Sequence, residues 1–123
     1  MVATSLSVTE HERRLRLLPC AVSAMYPVTL HHCHSGSLLS AGWLVGKGQR
    51  QNPFLQLPLH EIYHTGKFGI DSGMGVVTWE GKFATQMELL EWVDDQLARW
   101  DSPSIWLLAK EWESVHRSKS MRI

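Results

Sequence analysis

His60 and His64 stand four residues apart in PLHEIYHTG, and His31 and His32 are adjacent in LHHCHSG. On a helix, imidazoles four positions apart project from one face, one turn from each other, close enough to share a metal ion. A third imidazole from the upstream pair completes a three-histidine set. Such a set leaves a coordination position open for water or phosphate, which separates catalytic sites from closed structural ones. The remaining histidine then sits beside the metal, and an ordinary pKa near neutrality suits it to act as a general base. Alone, the HxxxH pair is better read as two exposed or core histidines. The second pair upstream turns the balance toward metal-assisted hydrolysis.

The glycine-rich stretch between the pairs, Ser35 to Gln51, carries Gly36, Gly42, Gly46 and Gly48 together with Lys47 and Arg50. Glycine lets a nucleic-acid backbone approach closely, so Lys47, Arg50 and, more weakly, Lys67 are candidates for phosphate contacts. A solvated loop charge is the competing reading for each. The formal net charge is zero, with twelve basic and twelve acidic residues, whereas nucleic-acid binders usually carry a basic excess. The distribution is uneven, however. From Val28 to Phe68 the basic residues are Lys47, Arg50 and Lys67 against Glu61 alone, and acidic residues dominate from Trp79 to Glu113. A local field guides a polyanion more than the total does. No recognition-helix pattern or basic stripe points to readout of base sequence.

The elements that must position these residues follow from pattern. Thr9-Glu10-His11-Glu12 has the capping-box form, with a helix expected from Glu10 to Leu18. Pro27 to Cys33 reads as a strand. Ser35 to Gln51 reads as a long loop, and Phe54 to Leu57 as a second strand. His60 to His64 reads as a short helix stopped at Gly66, followed by loops through Gly69, Gly73 and Gly75. Thr85-Gln86-Met87-Glu88 is a second capping box, and Leu89, Leu90, Val93, Leu97 and Trp100 then recur at helical spacing. Ser102-Pro103 reads as an N-cap with proline at the first helical position. Ile105, Leu108, Trp112 and Val115 mark the buried face of the helix after it. The expectation is an α+β chain of one domain, 1–123, with a core motif over about 28–66 and a helical C-terminal hairpin within about 79–117. Trp100, Trp106 and Trp112 are expected in its core.

In the regular alternation of a strand, His31 and His32 point to opposite faces, and His32 shares a face with His34. His34 therefore competes for either role, although a loop histidine before Ser35-Gly36 is the plainer reading. Cys33 reads as a buried core thiol.

The order HH, glycine-rich loop, Asn and HxxxH, present here as LHHCHSGSLL followed by QNPFLQLPLHEIYHTG, resembles the HNH nucleases, the bacterial colicin DNases among them. The resemblance covers about Val28 to Gly66, one third of the chain. It implies a small ββα-metal (His-Me finger) core, here with an N-terminal helix and a C-terminal helical hairpin. It implies that His31, His60 and His64 ligate one divalent ion, that His32 is the general base, and that Asn52 constrains the loop of that base. The chain is also similar to phage recombination-enhancement (Ref-like) HNH proteins, through LPC at Leu18 to Cys20, the GKGQR stretch, Pro58-Leu59, and TWE followed by Leu89-Leu90. By that similarity the substrate is DNA, single- or double-stranded, and a recombinase or another phage or host DNA-processing protein is a partner. Many HNH proteins carry paired CxxC knuckles for a separate zinc. Here Ser23 stands where Cys20 would need its mate, and His60 and Tyr63 occupy the later knuckle, so no structural zinc is expected.

Three imidazoles favour Zn²⁺, Ni²⁺, Co²⁺ or Mn²⁺ over the oxygen-seeking Mg²⁺, while the resemblance admits Mg²⁺ or Mn²⁺ for activity. Two further readings compete. A metal-stabilised module binding DNA or protein without cutting needs the ligands but neither His32 nor Asn52. A zinc peptidase would use His60-Glu61-Ile62-Tyr63-His64 as HExxH with Glu61 as base. It would leave the His31-His32 pair without a purpose, and Gly66 ends its helix within a turn. No apolar run approaches the roughly 20 residues of a membrane span, and the N-terminus lacks a basic region followed by an apolar stretch. A cytoplasmic protein without membrane contact is expected, with Cys20 and Cys33 as free thiols. Oligomeric state is open.

Overall fold

The computed structural model describes residues 5–45 and 51–120, the last four of these as backbone only. Among them the chain forms an α+β fold of six helices and one two-stranded antiparallel sheet. None of its helices is long and apolar enough to cross a membrane.

Helix α1 (Val8–Leu15) is capped by Ser7, whose Oγ accepts the Glu10 N–H at 3.1 Å. Ser7-Val8-Thr9-Glu10 has the same S/T-x-x-E form as the expected Thr9 box, two residues earlier. Glu12 is thereby free to accept from the Gln56 side chain at 2.8 Å. Strand β1 (Thr29–His32) pairs with β2 (Gln56–Leu59), with Thr29 opposite Leu59, His31 opposite Leu57 and His32 opposite Gln56. The second strand begins two residues later than expected. Asn52 folds the preceding segment into a turn, its Oδ1 accepting from Phe54 N–H and its carbonyl from Leu55 N–H.

The long loop expected after β1 contains helix α2 (Gly36–Ser40). Gly36 enters it at φ +51°, and the Glu80 carboxylate accepts from both the backbone N–H and the hydroxyl of Ser37. A side chain at position 36 would strike that carboxylate, so glycine is required there twice over. Helix α3 (Glu61–His64) follows β2 directly, and α4 (Val76–Lys82) begins just after the glycines read as loop and runs into the region expected to be helical from about 79. Helix α5 (Gln86–Ala98) has the capping box read from the sequence, with Thr85 and Glu88 bonded reciprocally.

Helix α6 (Ile105–Ser120) starts later than Ser102-Pro103 suggests. Ser104 Oγ accepts the Trp106 N–H, and Asp94 Oδ1 on α5 accepts the Ile105 N–H. Helix α5 packs against α2 and β2. Helix α6 is tied to the segment before β2, through Asn52 Nδ2 donating to the Ala109 carbonyl and Leu44 N–H donating to Glu113.

The core joins Leu57 and Leu59 of β2 to Leu15, Leu38, Trp79, Leu90, Leu97 and Ile105. Trp79, not the three C-terminal tryptophans, is the buried one: it is 0% exposed and its indole N–H donates to the Phe68 carbonyl. Trp106 and Trp112 pack at the margin, while Trp100 and Val115 are exposed. The helical period alone does not say where the apolar stripe of a helix ends.

Candidate metal centre

Thr29 and His31 are two apart on β1 and share a face of the sheet. Helix α3 lies against that face and brings His64 to it. From His64 the chain turns back on itself: Phe68 N–H bonds the Ile62 carbonyl, Ile70 N–H that of Tyr63, and Asp71 N–H that of His64. A Cβ at Gly69 would lie 2.5 Å from the His64 carbonyl oxygen, so only glycine lets the turn close tightly enough to return Asp71 to the histidines.

Three side chains converge there. Asp71 Oδ2 is 2.8 Å from His31 Nδ1 and 2.9 Å from His64 Nε2. The ligating atoms of the three all lie within 4.8 Å of one another. His31 is completely buried, the His64 side chain is 15% exposed and that of Asp71 31%, so the group is open on the carboxylate side. His34 joins from the end of β1, its Nε2 3.2 Å from Asp71 Oδ1.

The outer nitrogens of the two central rings are engaged in ways that decide which ring atom carries the proton. The Thr29 hydroxyl donates to the Leu59 carbonyl at 3.1 Å, so at 2.7 Å it accepts from His64 Nδ1–H. The buried Gln86 amide donates through Nε2 to the His34 carbonyl and accepts through Oε1 from His34 N–H. The same Oε1 lies 2.9 Å from His31 Nε2 and accepts from it. The lone pairs of neutral His31 Nδ1 and His64 Nε2 therefore face an acceptor oxygen, an arrangement that a proton or a cation in each gap stabilises. With protons there, the carboxyl of Asp71 is held far below its ordinary range: burial raises it, and the hydrogen bonds from His31 and His64 outweigh that effect. Two imidazole nitrogens and a carboxylate oxygen, each ring braced by an outer hydrogen bond, are a donor set that can hold a divalent ion.

The structure places the other sequence candidates elsewhere. His60 is outside the group. As N-cap of α3 it has an extended backbone, and its Nδ1 accepts the Ile62 N–H at 3.2 Å. The helical spacing argument fails because His60 precedes the helix instead of lying within it. The HExxH arrangement is not assembled for the same reason. His32 lies on the opposite face of β1 from His31, half-buried and across from Gln56. Burial lowers its pKa, Glu12 opposes that shift, and His31, Asp71 and His64 all act on it electrostatically. Its ring has no hydrogen-bond partner among the described residues.

Asn52 is buried and braces the turn into β2 against α6, without engaging His32. Lys67 is exposed, its Nζ 5.5 Å from the centre of the Phe68 ring. Lys82, not singled out from the sequence, holds its Nζ 5.2 Å from the same ring. Lys47 and Arg50 lie outside the described residues. Cys33 is fully buried, and burial raises its thiol pKa well above the ordinary value, which leaves it an inert core residue.

Asp71, Gln86 and Thr29 are the residues that sequence reasoning missed. The sole signal for Asp71 was its place after the Gly66–Gly69 turn, and Gln86 was absorbed into a capping box. No family model, no curated protein and no solved structure matches this chain.

Proposed function

We propose that the chain is a metal-dependent endonuclease of the HNH type, hydrolysing phosphodiester bonds in DNA with one divalent ion. The observation that carries this reading is the convergence of His31 Nδ1, His64 Nε2 and Asp71 on one partly open point. The ligands come from the first strand of an antiparallel pair, from the helix that directly follows it, and from the turn after that helix. This order fits a ββα-metal core, with Asp71 taking the place first given to His60.

Three protein ligands leave a tetrahedral ion one open position. The set suits Zn²⁺ or Mn²⁺, and its carboxylate accommodates Mg²⁺ better than three imidazoles would. His31, His64 and Asp71 would hold the ion, which would supply Lewis-acid stabilisation of the charge on the scissile phosphate and on the departing 3′ oxygen. His32, next to His31 in the chain and within electrostatic reach of Asp71 and His64 from the other face of β1, takes the proton of the attacking water: burial lowers its pKa, and no hydrogen bond engages its ring among the described residues. Lys67 and Lys82 hold flanking phosphates, steadied over the Phe68 ring. The enzyme works in the cytoplasm on DNA, single- or double-stranded, with a recombinase or similar DNA-processing protein as partner.

A second reading makes His34 the base, since its ring touches Asp71 directly. His32 is preferred because both nitrogens of His34 are already engaged, one by Asp71 and the other by Ser35 at 3.3 Å. Supercoiled-plasmid nicking by His32→Ala and His34→Ala, with bound metal measured alongside, separates the two. Loss of cutting at unchanged metal content in His32→Ala supports the first reading, and the same result in His34→Ala alone supports the second. Metal and DNA binding without cutting by the wild type would make the chain a binding module.

A further inference from the structure

We propose that Gln86 is a positioning residue of the metal centre: by accepting from His31 Nε2 it holds His31 in the tautomer that offers Nδ1 to a cation. The proposal rests on the metal-centre reading above.

Gln86 is the first residue of α5, and its backbone is pinned from several sides. The Thr85–Glu88 capping box fixes the turn, Glu80 Oε2 accepts the Gln86 N–H at 2.7 Å, and Ser37 Oγ accepts the Met87 N–H at 3.2 Å. The side chain is 0% exposed, so water cannot replace it. Its amide has one workable orientation. Nε2 donates to the His34 carbonyl at 2.8 Å and Oε1 accepts from His34 N–H at 3.2 Å. Reversal would oppose donor to donor and acceptor to acceptor.

The consequence falls on His31. A neutral imidazole beside a carboxylate is drawn to place its proton on the nitrogen facing that carboxylate. With the proton on Nδ1, His31 would donate to Asp71 and could not ligate a metal. Gln86 Oε1, 2.9 Å from Nε2, favours the opposite tautomer and leaves the Nδ1 lone pair directed at Asp71 and His64. The same amide grips the main chain of His34, whose ring rests on the other Asp71 oxygen. Gln86 thus converts a histidine–aspartate hydrogen bond into a pair of metal ligands without touching the metal. Thr29 does the corresponding work on His64 from an exposed position.

The test uses Co²⁺ as probe, with binding followed by visible absorption in wild type, Gln86→Met and Gln86→Glu. Methionine keeps the volume but removes the acceptor, and Co²⁺ affinity should fall about 10- to 100-fold, the usual cost of losing an outer-shell partner. Glutamate keeps the acceptor for His31 Nε2 but sets a carboxylate oxygen against the His34 carbonyl, so Gln86→Glu should bind Co²⁺ more tightly than Gln86→Met yet fall short of wild type, an order that volume alone would not give. Thermal melting of the metal-free variants reports whether the fold survives. Nitrogen chemical shifts of the His31 ring in metal-free wild type, at a pH where it is neutral, provide a readout that needs no variant; the proton should be on Nε2. A proton on Nδ1, or Gln86→Met binding Co²⁺ as tightly as wild type, overturns the positioning role alone. Failure of the wild type to bind Co²⁺, with the proton on Nε2, overturns the metal-centre reading and this proposal with it.

Discussion

Asp71 Oδ2 lies 2.8 Å from His31 Nδ1, a contact between residues 40 positions apart in the chain. One is fixed in a strand, and the other is delivered by the turn after α3. If the pair belongs to a metal centre, the Asp71→Ala variant loses more than a braced ring. Its affinity for Zn²⁺ should fall by more than about a hundredfold, beyond the range seen when outer-shell partners are removed. Competition with a chromophoric chelator measures it.

His60 behaves differently. It caps α3 and stands outside the ligand group, so His60→Asn, which keeps a good capping side chain, should leave metal content unchanged. His60→Ala should cost about 1 kcal/mol of stability, the usual loss for a cap, again without metal loss. Metal analysis and denaturant melts read both. Loss of metal in His60→Asn would return this histidine to the ligand set.

Gly69 makes a third test, because a Cβ there would press on the His64 carbonyl. Gly69→Ala should destabilise the chain by about 1–3 kcal/mol, as overpacking does. It should also weaken metal binding, since the same turn carries Asp71. Urea unfolding and a metal titration on one sample check the two effects together.

His11 predicts a pH dependence that is independent of the metal. It is 1% exposed, neither ring nitrogen has a partner among the described residues, and burial lowers its pKa from 6.5 to about 4. Between those values the unfolded chain binds a proton that the folded chain does not. Its contribution is therefore complete above pH 6.5 and is lost as the pH falls through about 4. The shift corresponds to about 3 kcal/mol at most. His11→Phe, which keeps a ring against Phe54, should flatten the fall in stability across that window relative to wild type, as read by urea midpoints at several pH values.

The local elements were largely legible in the sequence because their signals are local. The Thr85 capping box, the strand ending in His31-His32 and the short helix stopped near Gly66 each depend on residues within a few positions of one another. His31 and His64 were legible as members of the cluster for the same reason. Asp71 was not, because its place depends on a glycine turn whose tightness no periodicity reveals. His60 was misplaced because the helix begins one residue after it, and a one-residue shift in a helix start changes a ligand into a cap. The strand alternation did carry a warning about His31 and His32, and the structure resolves it by turning His34, not His32, onto Asp71.

The most direct test of the central claim is supercoiled-plasmid nicking by wild type and Asp71→Ala, each with Mn²⁺, Mg²⁺ or Zn²⁺ and with chelator, after circular dichroism has shown both to be folded. The account predicts metal-dependent nicking by wild type, abolished by chelator and by Asp71→Ala. Nicking by Asp71→Ala at the wild-type rate, or wild-type nicking that persists in chelator, would contradict it.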